Sequence, residues 1–400
     1  MSKINLFYII KNGNIVREII LCVLKFIGFI NEFIPKNQNK ILFYDSLNET
    51  LTDNSLAVLL YLKEHKLNEK YKILCCVPNS TKKYIYGIEN ISIINGILNY
   101  LTCKYVFYSF GGMRIKPSKQ QYVINLWHGT PLKRIGKLNT FDNKLKKENN
   151  NDFTYIIVAS EIFRNIYLNA FGCTNKQILI AGNPRNDFLL KKRNVLKKFE
   201  INKEKYKKVI LWMPTFRISK DERFKDTSKY NETGLPLLDS RDKLNKFNKF
   251  LEKNNILIVL KIHNYSILPK IKSNNILMVT NEVLISKKIF LYEFIKDFDV
   301  LLTDYSSVYF DYLLLNKPIG FIIDDFEDYE QNRGFSINDP LKLMPGEHIK
   351  TIDDLKNFLI NMSNGIDKFN EDRKNINKLV NICDINNTKS LLKKIGIRCE

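Results

Sequence analysis

The chain has 400 residues, 44% hydrophobic and 26% charged, a balance that excludes a disordered protein and a length that exceeds what one hydrophobic core usually supports. Two domains are therefore expected. The 63 lysines and arginines against 42 acids give a formal net charge of +21, which points to anionic partners: nucleic acid, an acidic membrane face or a phosphorylated polymer. Seven cysteines (Cys22, Cys75, Cys76, Cys103, Cys173, Cys383, Cys399) show neither metal-ligand nor disulfide-framework spacing, so they read as reduced thiols of a cytosolic body.

The first unusual segment spans 15–34, IVREIILCVLKFIGFINEFI. Its polar or small residues Glu18, Cys22, Lys25, Gly28 and Glu32 recur every three or four positions, and nearly all others are apolar. That spacing predicts a helix with a narrow polar stripe and a wide greasy face. Its charges argue against a signal peptide and a spanning helix. It either packs on the protein's own core or lies in a membrane interface, and the basic net charge tilts the choice to the membrane.

An alternating pattern follows. Strands are expected over 40–44, 71–77, 91–94, 103–109, 121–127, 152–160 and 177–181, with helices over 54–65 and 161–171. The stretch 188–206 is basic and weakly periodic, as a linker would be. A second alternating set has strands at 208–213, 256–262, 275–279 and 300–302 and helices at 241–253 and 291–296, then two or three terminal helices. Strands alternating with helices indicate parallel βαβ units. The expected α/β architecture is two doubly wound Rossmann-type domains, 39–187 and 207–400, facing each other across a cleft. A short amphipathic helix (1–38) precedes them. Ligands in such sheets bind beyond the carboxyl ends of the strands.

Polar clusters fall at those ends. His128 and Gly129, with Thr130 and Lys133 close behind, follow an apolar strand; the histidine is suited to act as a general base, or it supports a loop. Arg185, in the run 181–187 (AGNPRND), would grip a phosphate or pair with Asp187. Thr215 and Arg217 offer a hydroxyl and a guanidinium after a buried strand. His263 ends another strand, and Arg333 lies in the loop 330–335 (EQNRGF). At 303–307 (TDYSS) an apolar strand meets a helical period. Asp304, Ser306 or Ser307 would cap that helix, but two serines after an aspartate exceed what one cap needs and favour an anion site. No Walker-type loop, GxGxxG or transition-metal spacing is present in the sequence.

In this order the motifs WHGT (127–130), GNPRND (182–187), PTFR (214–217), KIH (261–263), TDYSS (303–307) and RGF (333–335) resemble the CDP-glycerol glycerophosphotransferase family of teichoic acid polymerases and primases, over about residues 40–380. The resemblance implies a GT-B-like fold. It also implies transfer of an alditol phosphate from CDP-glycerol or CDP-ribitol to a hydroxyl of a lipid-linked or polyanionic polymer acceptor, with CMP released and no metal or other cofactor required. The product would be a teichoic acid or capsule-type surface polymer, made by a peripheral protein on the cytoplasmic face of the membrane. His128 and His263 match the family's two essential histidines, and Ser306 and Ser307 its donor-phosphate turn. Thr215, Arg217, Asp311 (for the ribose) and Arg333 would complete the donor side in the carboxyl-terminal domain. Gly129, Thr130, Lys133 and Arg185 would support the acceptor side, with Arg134, Lys137, Lys144, Lys146 and Lys147 tracking a polyanion. The sequence departs from the family at Asn264, where a proline usually follows the histidine. Rival readings are a nucleotide-sugar glycosyltransferase of the same architecture, a catalytically silent membrane scaffold and a nucleic-acid-binding protein. Against the last, no recognition helix or basic–aromatic RNA motif is present, so no nucleic-acid partner is expected.

Overall fold

A computed structural model of the chain describes residues 15–139, 151–192, 194–215, 232–262, 273–382 and 386–398, with side chains from residue 18 on. These divide into two compact units. Unit 1 holds the described residues up to Thr130, those from 151 to Asp187 and those from Ile382 onward; unit 2 holds those from Pro131 to 139 and from Phe188 to Asn381.

In unit 1, near-continuous apolar runs make the strands, as a parallel sheet buried on both faces requires. They are β1 (Asn37–Tyr44), β2 (Lys72–Cys76), a small antiparallel hairpin of β3 (Tyr84–Ile85) and β4 (Ile88–Glu89), then β5 (Cys103–Tyr108), β6 (Tyr122–Asn125), β7 (Tyr155–Val158) and β8 (Ile178–Ile180). The main sheet runs β2-β1-β5-β6-β7-β8, all parallel. Ile41 on β1, the second strand of the sheet, opposes Ile73 on one side and Tyr105 on the other. Phe43 and Phe107, both fully buried, stack 5.3 Å apart.

Unit 2 repeats the plan with β9 (Lys208–Met213), β10 (Ile256–Lys261), β11 (Ile276–Val279), β12 (Val300–Thr303), β13 (Ile319–Ile322) and β14 (Glu347–Ile349), in the parallel order β11-β10-β9-β12-β13-β14. Trp212, Leu260, Leu302 and Phe247 lie in its core. In each unit the strand order reverses beside the first strand, between β1 and β5 and between β9 and β12. Such switch points leave a crevice beyond the carboxyl ends of the strands.

Three expectations are corrected. The segment 91–94 is not a strand: Ser92 caps the helix Ile93–Thr102, its hydroxyl accepting the Asn95 N–H at 3.3 Å. The basic stretch 188–206 is part of unit 2 rather than a free linker; it forms short 3-10 turns, Leu196–Phe199 and Lys203–Lys205, and the Val195 N–H donates to Asp297 at 2.6 Å. Of the terminal helices, Ile352–Ser363 and Asn370–Val380 lie in unit 2, whereas Asn387–Lys394 belongs to unit 1. There Asp187 accepts the N–H of Asn387 (2.7 Å) and of Thr388 (2.9 Å), capping that helix from two hundred residues away.

The amino-terminal helix is Ile15–Asn31. It packs on unit 1 by a narrow face, Leu24, Gly28 and Asn31, and Asn31 Nδ2 donates to the Lys116 carbonyl and to Gln121, each at 3.0 Å. Its apolar side is left uncovered: Phe26, Phe29 and Phe33 are 63%, 65% and 72% exposed.

Candidate active site

In unit 1, His128 lies three residues beyond the end of β6, beside the end of β5. Trp127 before it takes a φ of +49°, and Gly129 after it a φ of +136°, a region that disfavours side chains. The imidazole lies between Phe110 (centroids 4.6 Å apart) and Trp127 (4.0 Å). Its Nδ1 faces the Ser109 carbonyl oxygen at 3.3 Å, so Nδ1 carries the proton and Nε2 presents a lone pair. The residue is exposed, yet its surroundings withdraw the ring from bulk water. That desolvation lowers its pKa, opposed by the nearby Asp53 carboxylate. A neutral imidazole with Nε2 as its basic nitrogen is what a general base requires.

Around it, Thr130 is buried and its hydroxyl has no hydrogen-bond partner; the Gly129 carbonyl accepts from the Tyr167 hydroxyl at 3.2 Å. Arg185 is engaged by Asp53 within unit 1. Its guanidinium is buried against Asp53, with Nη1 2.9 and 2.8 Å from the two carboxylate oxygens. Asp53 and Asn54 open the helix Asp53–Glu64. The helix expected over 54–65 carried no role for either residue; the polar run 53–55 (DNS) ahead of an apolar set was the signal available.

In unit 2, the ends of β9 and β12 are tied across the switch point. Asp304, fully buried, accepts both the backbone N–H of Thr215 (2.8 Å) and its hydroxyl (2.9 Å), while the Thr303 hydroxyl donates to the Met213 carbonyl (2.8 Å). This carboxylate forms the turn. Ser306 and Ser307 are half-buried; Ser307 occupies the N-cap position of the helix Val308–Tyr312, yet its hydroxyl makes no capping bond, so capping does not account for it. Asp311 is corrected as a ribose contact: it is 1% exposed and accepts the Tyr292 hydroxyl at 2.9 Å. Tyr292→Phe is accordingly expected to lower the melting temperature, at a cost of about 1–3 kcal/mol for the bond lost by a buried carboxylate. The Michaelis constant for the nucleotide donor should stay unchanged; thermal unfolding and donor saturation curves check both.

Lys133 is corrected as a part of the amino-terminal domain. It lies in unit 2, where it forms an antiparallel bridge with Phe335, and Ser336 donates to the Leu132 and Lys133 carbonyls at 2.8 and 2.7 Å. Gly334 takes a φ of +70°, a conformation that glycine adopts without strain. The segment 132–134 thereby brings Lys133 and Arg134 to the loop of Arg333. Tyr305, from the serine turn, joins the same cluster: its ring lies 4.2 Å from Tyr329 and 5.4 Å from Phe335, and its hydroxyl donates to Asp325. Lys261, buried at the end of β10, donates to the Ile262 carbonyl, and burial pushes its pKa down to about 8. His263, Arg217, Lys144, Lys146 and Lys147 lie outside the described residues.

Two doubly wound parallel units of this kind make a GT-B-like transferase fold, shared with the wall teichoic acid polymerase TagF at a TM-score of 0.71 and 21% identity, over 99% of this chain and 98% of that one. A family model, CDP-glycerol:poly(glycerophosphate) glycerophosphotransferase, matches residues 27–395, and the chain belongs to that family of transferases. Over 378 residues it is 29% identical to the teichoic acid poly(glycerol phosphate) polymerase of Bacillus spizizenii, covering 84% of this chain and 86% of the relative. It is 27% identical to the teichoic acid glycerol-phosphate transferase of Staphylococcus aureus, covering 78% and 80%. A poly(ribitol-phosphate) polymerase of B. spizizenii is also 27% identical over 85% of this chain, which spans 54% of that protein.

Proposed function

We propose that the protein transfers an alditol phosphate, glycerol phosphate foremost, from a CDP-alditol to a hydroxyl of a lipid-linked or polymeric acceptor, in the synthesis of a teichoic-acid- or capsule-type polymer. The observation that carries this reading is the contact of His128 Nδ1 with the Ser109 carbonyl oxygen. With Nδ1–H committed to the Ser109 carbonyl, Nε2 is the available base. In the reaction Nε2 takes the acceptor hydroxyl's proton, the freed oxygen bonds to the alditol-bearing phosphorus, and the bond from that phosphorus to the bridging oxygen breaks as CMP leaves. Charge develops on phosphoryl oxygens, so positioning and electrostatic stabilisation do most of the catalysis. Ser306, Ser307, Arg217 and Arg333 are assigned to the pyrophosphate, with Lys133 alongside them in place of its expected acceptor-side role; Thr215, whose N–H and hydroxyl both donate to Asp304, supports the turn instead. His263 is assigned as the second histidine of the reaction, and no metal ion is required. The Tyr292 bond removes Asp311 from these roles.

The test is incubation of purified protein with CDP-glycerol, CDP-ribitol, UDP-sugars and GDP-sugars, together with a lipid-linked or poly(alditol phosphate) acceptor. Formation of CMP from a CDP-alditol supports the assignment. Release of UDP or GDP with no CMP would replace it with glycosyl transfer.

We propose further that the protein acts at an anionic membrane surface, on the cytoplasmic side. No helix among the described residues is long and apolar enough to cross a membrane. The exposed face of the helix Ile15–Asn31, extended by Phe33, supports interfacial contact, because burying aromatic side chains in the acyl boundary removes them from water. Changing Phe26, Phe29 and Phe33 together to serine is expected to weaken flotation with phosphatidylglycerol vesicles by about tenfold or more. Unchanged flotation would remove the membrane assignment without touching the chemistry.

A further inference from the structure

We propose that Asn54 is a positioning residue that aims His128, an inference that rests on the reading of His128 as the base. Asn54 is fully buried, and each of its three side-chain hydrogen bonds goes to the backbone of a loop distant in sequence. Its Nδ2 donates to the carbonyls of Leu126 (2.9 Å) and Trp127 (3.1 Å), the two residues before His128. Its Oδ1 accepts the Arg185 N–H at 3.1 Å. The amide thus clamps the loop at the point where Trp127 adopts the disfavoured φ of +49°, a conformation that persists only where its surroundings impose it.

The next residue completes the arrangement. The Ser55 N–H donates to Ser109 Oγ at 3.0 Å and the two hydroxyls lie 2.8 Å apart, while the Ser109 carbonyl meets His128 Nδ1. One helix start therefore holds both the backbone that carries the imidazole and the carbonyl that sets its tautomer. Asp53 and Arg185, the charged groups facing this corner, are paired with each other.

The test compares Asn54→Ala, Asn54→Asp and His128→Ala in CMP release from CDP-glycerol, with histidine-selective NMR of the full chain. Asn54→Asp fills the same volume and keeps an acceptor for the Arg185 N–H, but has no donor for the two carbonyls. A space-filling role predicts that it restores activity; a positioning role predicts that it does not. Both Asn54 variants are expected to lower kcat by about 10–100-fold, the scale of a small misplacement of a reacting group. KM for CDP-glycerol should stay within about twofold, because the nucleotide is not assigned to this corner. The His128 ring signals and their titration should shift.

Folded variants with wild-type kcat and an unmoved His128 signal would overturn the proposal. Should both Asn54 variants fail to fold, Ser109→Ala removes one hydroxyl and leaves the backbone intact. A shifted His128 signal with reduced kcat then supports the clamp, and no change in either overturns it. Full activity in His128→Ala would instead sink the base assignment, an outcome distinguishable because the NMR shift in the Asn54 variants is read without turnover.

Discussion

His128→Ala is expected to reduce kcat by about 10²–10⁴-fold, the range that a positioned general base contributes. The loss should appear in kcat and not in KM for the donor, since the imidazole is assigned to the acceptor hydroxyl. The fold should survive: the residue is exposed, so its stacking on Phe110 and Trp127 is the main packing given up, worth about 0.5–1.5 kcal/mol per aromatic pair. His128→Gln should be equally inactive, because an amide has no basic nitrogen. The wild-type pH profile provides a second check. Desolvation holds the His128 pKa below its ordinary 6.5, so the base is neutral at pH 7 and activity declines only as pH falls through the lowered value. The acid limb of kcat should therefore lie below pH 6.5 and disappear from the residual rate of the alanine variant. Near-wild-type turnover in His128→Ala would end the assignment.

Asp304→Ala is expected to damage stability and donor binding together. The carboxylate is fully buried and accepts two hydrogen bonds from Thr215, so truncation strands an N–H and a hydroxyl at the switch point of unit 2. At about 1–3 kcal/mol for each polar group left unsatisfied, the loss is about 2–6 kcal/mol, seen as a melting temperature lower by several degrees. The same bonds anchor the turn that presents Ser306 and Ser307, so KM for CDP-glycerol should rise by about tenfold or more, in line with two weakened hydrogen bonds to the donor. Asp304→Asn should be milder, because an amide oxygen in the place of Oδ2 still accepts both the Thr215 N–H and its hydroxyl. Calorimetry and donor saturation curves decide it; an alanine variant with unchanged melting temperature and KM would show that the tie is dispensable.

Most of the strands were legible because parallel strands buried on both faces are written as apolar runs, and the polar clusters that end them marked the two switch points. Local chemistry decided against the expectation at 91–94, where Ser92 supplies a helix cap inside a run that reads equally well as strand. What the sequence hid was partnership. Arg185 lies two positions from Asp187 but pairs with Asp53, and Asp187 serves a helix near the other end of the chain. Asn54 looked like any polar residue opening a helix; its contacts lie 72 and 131 residues away. Hydrophobic periodicity reports which face is buried, not which distant backbone group a buried amide will meet.

The exchange of segments between the units has a consequence for how the protein is made. Because unit 1 includes the helix Asn387–Lys394, its sheet strands are all synthesised long before the piece that Asp187 must cap. A nascent amino-terminal half therefore waits on the ribosome without the helix that this carboxylate caps, whereas domains built from contiguous sequence fold as they emerge. The division at Asp187 and Phe188 is likewise a poor place to cut: a fragment ending there lacks its closing helix and still carries Lys133 and Arg134, which belong to the other unit.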